Sequence, residues 1–260
     1  MKYLWNKKIH QKEFRLRILT TDICNKNCSF CLNDFQQKAI GNGTFVNPFE
    51  ISDLIKIYCK FMKSKKEIPI ITFSGGEPGL HPNLRMMVEI SKFNGALVKI
   101  VTNGLALNHS LKHSVDCWHI GVTEREIFHD FHDFNIIAQI VVTDGTTDRE
   151  LLNLVSFYVS QKIPVKLFVD FYSDNQKIIE NKIENIHQKY PKLVYSRYTG
   201  KQTNRGKACD GCTKKCVTLK ALWVFPNNKV STCPQGERYY LEYNTWYETV
   251  EVAYDLHCRR

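Results

Sequence analysis

Apolar runs of strand length alternate along most of the chain with segments whose apolar residues recur at helical spacing. Around residues 52–63 the apolar positions fall three and four residues apart, which predicts a helix with one buried face. The predicted helices cover residues 52–63, 83–93, 148–160 and 177–189. The predicted strands cover residues 14–21, 69–73, 98–101, 118–122, 135–142 and 165–171. This alternation predicts an α/β fold with parallel strands joined by right-handed crossovers.

Polar or glycine-containing segments follow the second, third and fourth predicted strands. Ser74-Gly75-Gly76-Glu77-Pro78 follows the second, Thr102-Asn103-Gly104 the third and Thr123-Glu124 the fourth. Two glycines let a backbone turn tightly and approach a ligand closely, and an asparagine amide donates hydrogen bonds to carboxylates. Taken singly, each segment is also typical of an ordinary turn or helix cap. Because parallel strands build their sites at their carboxyl ends, we expect these segments to share one edge.

Three cysteines follow the first predicted strand. Cys24, Cys28 and Cys31 have the spacing C-x3-C-x2-C, and the aromatic Phe30 precedes the last of them. Three thiolates on one loop bind three irons of a cuboidal cluster and leave the fourth iron open for a cofactor or substrate. Phe30 would then lie against the ligand of that open iron. The alternatives are a zinc knuckle that lacks its fourth ligand and thiols that lie close together by chance.

These segments together resemble the radical S-adenosylmethionine (radical SAM) superfamily, whose signature is C-x3-C-x-aromatic-C and whose further motifs include GGEP and TNG. The resemblance implies a partial (β/α)6 TIM-like barrel over about residues 14–200. It also implies S-adenosylmethionine bound to a 4Fe-4S cluster at the three cysteines. The implied cofactor contacts are Phe30, Gly75, Gly76, Glu77, Asn103, Thr123 and Glu124. Threonine stands at position 123, where many relatives carry serine.

A second group of cysteines lies near the carboxyl end, at Cys209, Cys212, Cys216 and Cys233. Residues 222–232 between the last two predict a β-hairpin, and its Asn227-Asn228 turn suits positive φ. This region resembles the twitch domain, a shortened relative of the SPASM domain, with Asn228 in place of the usual turn glycine. The resemblance implies one auxiliary 4Fe-4S cluster, with zinc on the same four thiolates as the alternative.

The three remaining cysteines have other interpretations. Cys258 could replace one auxiliary ligand or be a free thiol, whereas Cys59 and Cys117 are predicted to be small buried hydrophobic residues. Seven of the ten cysteines fall in the two groups, which indicates metal ligands in a reducing compartment. No signal peptide or membrane-spanning run is apparent, so we expect a cytoplasmic protein without a membrane partner.

Length and charge indicate the domain organisation and the kind of partner. The 260 residues, 43% of them hydrophobic, suffice for one principal domain and a small appendage. We divide the chain into an extension (1–13), a barrel (14–200) and an auxiliary-cluster domain (201–260). The net charge of +10 favours anionic partners, including a flavodoxin- or ferredoxin-like electron donor. The basic residues are dispersed without an RNA-binding motif, so we expect no nucleic-acid partner.

The resemblance implies reductive cleavage of S-adenosylmethionine to a 5'-deoxyadenosyl radical, which abstracts a substrate hydrogen. An auxiliary cluster would then support oxidation of a small molecule or nucleotide. Among nucleotide-acting relatives, the molybdenum-cofactor GTP cyclase is disfavoured, because Cys258-Arg259-Arg260 replaces its diglycine tail. The alternatives are a maturase of ribosomally made peptides, an enzyme that activates a partner protein, and a non-catalytic zinc module that contacts nucleic acid. No acid or base is selected among Asp170, Glu237 and the nine histidines.

Overall fold

The computed structural model describes residues 13–31, 43–105, 109–123, 134–170, 173–196, 221–233, 241–242 and 244–258. Within these ranges the strands are β1 (Arg15–Leu19), β2 (Ile70–Ser74), β3 (Leu97–Thr102), β4 (Cys117–Gly121), β5 (Ile136–Val142), β6 (Val165–Val169), β7 (Val194–Ser196), β8 (Ala221–Val224) and β9 (Val230–Ser231). The α-helices are α1 (Pro48–Ser64), α2 (Leu84–Phe93), α3 (Asp148–Ser160), α4 (Gln176–Lys189) and α5 (Trp246–Cys258).

All nine of these strands form one open sheet, in the order β7-β6-β5-β4-β3-β2-β1-β8-β9. Neighbouring strands from β7 to β8 are parallel, and only the β8–β9 pair is antiparallel. The predicted α/β class is therefore confirmed, and each predicted strand and helix is present with somewhat different ends. The short β7 was not predicted, and the helix expected in the C-terminal extension is α5, whose bounds were not predicted.

The aliphatic face of the sheet lies against the helices. Leu16 and Ile18 of β1, and Ile71 and Phe73 of β2, are almost completely buried in the main apolar cluster. Tyr58 of α1 reaches the same layer, and its hydroxyl lies 3.0 Å from the carbonyl oxygen of Phe14. Burial of this aliphatic layer supplies the main favourable free energy of folding.

The opposite face, called the polar face below, carries polar and charged side chains at alternate strand positions. Strand register places Arg17 beside Thr72 and Trp223, and Thr72 beside Lys99. Gln139 lies beside Lys166 in the same way. The polar face comprises Arg15, Arg17, Thr72, Ser74, Lys99, His119, Gln139, Lys166 and Trp223.

The predicted hairpin is present as β8 and β9, and its turn explains why asparagine stands at position 228. Asn228 has φ of 60°, a left-handed conformation that asparagine tolerates better than most residues. Its side-chain oxygen accepts a hydrogen bond from the backbone N–H of Asn47 at 3.0 Å. Its amide donates to Glu50 at 3.0 Å. Glycine would keep the turn but lose both contacts with the start of α1.

Helix α5 packs on α1 and β8 and ends near the amino edge of the sheet. The hydroxyl of Tyr254 donates to Glu67, just before β2, at 2.6 Å. The ring of His257 lies 5.5 Å from that of Phe14, just before β1. The exposed Cys258 therefore lies at the edge where β1 and β2 begin.

Two further expectations concern burial and membranes. Cys59 and Cys117 are 1% and 4% exposed, which confirms that they are buried. Burial raises the pKa of the Cys59 thiol to about 12 and that of Cys117 to about 11. Among the helices in the described ranges, none combines the length and apolar character needed to span a bilayer.

We expect Asn228→Ala to lower the free energy of unfolding more than Asn228→Gly. Glycine loses only the two side-chain hydrogen bonds, a cost of about 1 kcal/mol. Alanine also places a Cβ in the left-handed region, for a total of about 2 kcal/mol. Urea denaturation followed by circular dichroism measures both values. Equal losses in the two variants would contradict the importance of the positive φ.

Candidate cofactor and metal site

The chain segment that leads into the cysteine loop is fixed by side-chain hydrogen bonds. The Thr21 hydroxyl donates to the carbonyl oxygen of Thr44 at 2.9 Å and accepts from the N–H of Ile23 at 3.0 Å. The carboxylate of Asp22 accepts from the N–H of Thr44 at 2.5 Å. These residues were not predicted to belong to the site, although a polar run directly after an apolar strand was a signal.

The buried His81 joins the segment at Val46 to the turn at Asn83. The N–H of Asn83 donates to Nδ1 of His81 at 3.0 Å, so Nε2 carries the proton and donates to the Val46 carbonyl at 3.2 Å. Burial lowers the pKa of His81, which keeps the ring neutral and suited to this pair of contacts. The ring of Phe45 lies edge-on at 5.2 Å from that of His81. His81 therefore has a structural role, because it holds Val46 and Asn83 together.

The double glycine after β2 packs directly against the backbone that precedes the cysteines. The N–H of Gly76 donates to the Thr21 carbonyl at 2.7 Å, and the N–H of Glu77 donates to the Ile23 carbonyl at 2.7 Å. Gly75 has φ of 131°, and a Cβ there would lie 2.5 Å from the Thr21 oxygen. A Cβ at Gly76 would overlap the Ile23 carbonyl. Both positions therefore require glycine for packing, independently of any ligand.

The carboxylate of Glu77 connects the ends of β2 and β3. It accepts hydrogen bonds from the Thr102 hydroxyl at 2.5 Å, the Asn103 N–H at 2.7 Å and the Gly79 N–H at 3.1 Å. Glu77 is 0% exposed, and this burial raises its pKa, while the three donors act in the opposite direction. The side chain thus holds the two turns together, a role that the sequence analysis did not predict.

Asn103 brings the end of β3 to the cysteine loop. Its side-chain amide donates to the Asn25 side-chain oxygen at 2.6 Å and lies 3.7 Å from the sulfur of Cys24. The N–H of Lys26 donates to the same sulfur at 3.4 Å. Burial raises the pKa of the Cys24 thiol, and these two donors oppose that effect. Donors that face a sulfur stabilise its thiolate, which is the form that binds metal.

The donor set of the loop fits an iron-sulfur cluster. Cys24, Cys28 and Cys31 are half-buried thiols within eight residues, and the loop turns at Cys28 through a hydrogen bond from the Cys31 N–H at 3.1 Å. In the described part of the chain, no three His, Cys, Asp or Glu side chains surround a single metal position. A cuboidal cluster does not require such convergence, because each thiolate binds a different iron.

Two other predicted cofactor contacts line one cavity. Phe30 of the loop and Thr123 after β4 border a space of about 450 Å³ that also reaches Thr143 and Leu154. This volume lies within the range of small-molecule sites. The structure therefore brings Phe30 and Thr123 together at one cavity.

Several predicted residues lie elsewhere or outside the described ranges. Glu124, Cys209, Cys212 and Cys216 fall outside them. Cys233 is half-buried just after β9, and its N–H donates to the Ser231 hydroxyl at 3.0 Å. Because β9 is antiparallel to β8, it leaves the sheet toward the edge where β8 begins. The cysteine loop follows the opposite end of β1, so the structure does not bring Cys233 to it.

A comparison with protein families finds a match for this region. Residues 18–123 match the family described as the Radical SAM superfamily, and they contain the cysteine loop, the double glycine and Asn103. Residues 18–123 are therefore similar to radical SAM domains. The superfamily and the relatives below indicate an enzyme that uses S-adenosylmethionine and a 4Fe-4S cluster.

Curated relatives of the radical SAM domain are named GTP 3',8-cyclase. The protein from Vibrio vulnificus (strain YJ016) is 27% identical over 136 residues, which cover 51% of this chain and 38% of that protein. The protein from Aquifex aeolicus is 33% identical over 100 residues, covering 37% and 30%. That from Staphylococcus epidermidis (strain ATCC 12228 / FDA PCI 1200) is 25% identical over 199 residues, covering 62% and 55%. The chain thus matches only about a third to a half of each relative.

Solved structures show the same fold. SuiB of Streptococcus suis bound to the precursor peptide SuiA has a TM-score of 0.66 at 11% identity, covering 94% of this chain and 65% of that chain. SuiB bound to S-adenosylmethionine has a TM-score of 0.62 at 11% identity, covering 86% and 60%. The open parallel sheet therefore matches the partial barrel of radical SAM proteins, as predicted.

We expect Gly76→Ala to reduce the iron that the loop retains after anaerobic reconstitution by more than half. The added Cβ overlaps the Ile23 carbonyl, so the segment before Cys24 must move away from β2. Gly121→Ala is the matched control, because its Cβ meets only the Thr102 oxygen at 3.7 Å, an ordinary contact. Iron analysis of both purified variants measures the effect. Wild-type iron content in Gly76→Ala would refute this dependence on close packing.

Proposed function

We propose that the protein reductively cleaves S-adenosylmethionine at a 4Fe-4S cluster held by Cys24, Cys28 and Cys31. The observation that carries this proposal is the junction of the cysteine loop with the turns after β2 and β3. There the Asn103 amide lies 2.6 Å from the Asn25 oxygen and 3.7 Å from the Cys24 sulfur. Three half-buried thiols beside a polar turn suit a cluster with one iron open to a cofactor.

The protein's own residues supply position and shielding. When bound, the cluster and S-adenosylmethionine supply a 5'-deoxyadenosyl radical that abstracts a substrate hydrogen. We assign cofactor contacts to Phe30, Gly75, Gly76, Glu77, Asn103, Thr123 and Glu124. For the two glycines this means backbone groups at the turn, since a Cβ on either glycine would meet residues 20–23. Glu77 orients that turn through its buried carboxylate, and Phe30 borders the cavity that would shield the reaction from water.

An auxiliary site is the second part of the proposal. We infer that Cys209, Cys212, Cys216 and Cys233 hold a second 4Fe-4S cluster in a twitch-like region, with zinc as the alternative. The described hairpin and the half-buried Cys233 support this assignment. Cys258 lies at the far end of α5 beside Glu67 and Phe14, which favours a thiol with no ligand role. A redox-active cluster here would accept an electron from the substrate radical.

The proposed reaction is an oxidative modification of a small molecule or nucleotide. The curated relatives named GTP 3',8-cyclase support a nucleotide over other classes. Maturation of a peptide remains the alternative, since SuiB, a protein of this fold, has been solved with its precursor peptide. We further propose a flavodoxin- or ferredoxin-like electron donor and a cytoplasmic location.

Replacing Cys24, Cys28 and Cys31 together by alanine should abolish cleavage of S-adenosylmethionine. Formation of 5'-deoxyadenosine under dithionite, measured by chromatography, should fall at least about a hundredfold, because no thiolate remains to hold the cluster. Cys258→Ser is the control and should cleave at the wild-type rate. Undiminished cleavage by the triple variant would overturn the assignment of the loop.

Cys233→Ala should remove the metal of the auxiliary site and leave the cluster at Cys24, Cys28 and Cys31 in place. We expect the iron content to fall from about eight to about four per chain, while some cleavage of S-adenosylmethionine persists. Iron and zinc analysis together with the cleavage assay measures both effects. Loss of one zinc with no loss of iron would instead support the zinc alternative. Unchanged content of both metals would contradict any role of Cys233 as a ligand.

A further inference from the structure

The turn between β5 and α3, residues 143–146, is closed by hydrogen bonds between two threonines. The Thr143 N–H donates to the Thr146 hydroxyl at 3.0 Å, and the Thr146 N–H donates to the Thr143 carbonyl at 3.1 Å. The two hydroxyl oxygens lie 3.1 Å apart. These internal bonds set the shape of the turn, so its position depends on the contacts that it makes with other segments.

This turn forms one wall of the cavity beside Phe30. Thr143, Gly145 and Thr146 line the cavity together with Phe30 and Thr123. Binding residues often lie on loops that a rigid scaffold holds in place. The position of the turn therefore sets the width of the space in which we assign cofactor contacts to Phe30 and Thr123.

Gly145 leaves open space at this wall. Its φ lies outside the left-handed region, so the backbone itself does not require glycine there. A Cβ at Gly145 would meet, apart from its chain neighbours and within the described part of the chain, only the Thr143 hydroxyl oxygen, at 3.9 Å. Bare backbone at the wall of a cavity lets a ligand approach closely. The turn is therefore open to contact with the molecule that fills the cavity.

Helix α4 and the residues just before it hold the turn at two points. The Lys182 ammonium donates to the Thr146 carbonyl at 2.7 Å. The Ser173 hydroxyl donates to the Asp144 carboxylate at 2.8 Å and accepts from the Asn175 N–H at 2.9 Å. The two contacts with the turn join residues 36 and 29 positions apart, so they depend on the folded structure.

Lys182 makes the contact that is better protected from water. Its side chain is 22% exposed, although lysine side chains usually lie in solvent. Asp148 lies 3.9 Å from the ammonium but is 80% exposed, so this ion pair contributes little. Helix α4 packs on β6 and β7 and buries Ile179 and Ile183, on either side of Lys182 in the sequence. Lys182 therefore joins a packed helix to the cavity wall.

We propose that Lys182 is a positioning residue for the cofactor site, because its bond to the Thr146 carbonyl keeps the turn in place beside S-adenosylmethionine in the Phe30 cavity. This inference deepens the proposed function and rests on it, since the cofactor is the one proposed there. Lys182 acts through the turn and not on the cofactor itself. Its loss should therefore weaken cofactor affinity and leave the rate at saturating cofactor unchanged.

Binding of S-adenosylmethionine to the full-length, anaerobically reconstituted protein tests this role. Without a reductant the cofactor is not cleaved, so equilibrium dialysis measures its dissociation constant. Lys182→Met should raise that constant about tenfold, because a displaced wall loses its contacts with the ligand. Lys182→Arg keeps a charged donor and should stay within about threefold of the wild type. Under dithionite, both variants should form 5'-deoxyadenosine at the wild-type rate when the cofactor is saturating.

Two further variants separate positioning from general stability. Lys92→Met is the matched control, because Lys92 is also a half-buried helix lysine, and its bond to Asp116 at 2.8 Å lies just before β4, at the opposite edge of the sheet. It should lower the temperature of unfolding but bind the cofactor as the wild type does. Gly145→Ala makes only an ordinary contact within the protein, yet its methyl group enters the cavity. It should weaken binding at least about fivefold.

Failure of the inference is distinguishable from failure of the proposed function. Wild-type protein that holds its iron but does not bind S-adenosylmethionine would overturn the proposed function, and the role of Lys182 with it. Binding by the wild type with unchanged affinity in Lys182→Met or in Gly145→Ala would overturn the inference alone. The same holds if Lys92→Met weakens binding as much as Lys182→Met does. Iron analysis of every sample shows whether the cysteine loop is equally loaded.

Discussion

The close backbone contact between Gly75-Gly76 and residues 21–23 determines where the cysteine loop lies. Two hydrogen bonds of 2.7 Å join these segments, and neither glycine position accommodates a Cβ. The buried Glu77 carboxylate then joins the same turn to Thr102 and Asn103. The ends of β1, β2 and β3 thus form one hydrogen-bonded unit, and the Cys24 thiol and the Asn103 amide take their positions from it.

Much of this arrangement could be predicted from the sequence. Parallel strands with one face under helices appear as short apolar runs, and glycine and asparagine after such runs mark the carboxyl ends where sites form. What sequence patterns could not supply are contacts between distant residues. Asn228 differs from the expected turn glycine because it hydrogen-bonds Asn47, 181 positions away. Similarly, two of the three protein donors that hold the Glu77 carboxylate lie in another segment and could not be predicted from the sequence.

The two edges of the sheet have different chemistry. The carboxyl edge carries the cysteine loop, whereas β9 runs toward the amino edge before Cys233. Lys99 and Lys166 lie on the polar face between these edges. Their alternation with buried aliphatic residues was visible in the sequence, but a lone lysine in a strand does not reveal its neighbours. Only the strand order brings cations from β1, β3 and β6 onto one face.

The central claim is that the cysteine loop holds a cluster with an iron open to S-adenosylmethionine. The most direct measurement is electron paramagnetic resonance of the dithionite-reduced, anaerobically reconstituted protein before and after the cofactor is added. The account predicts a 4Fe-4S signal that the cofactor perturbs and that depends on Cys24, Cys28 and Cys31. A protein that binds zinc but no iron, or a signal that the cofactor leaves unchanged, would contradict it.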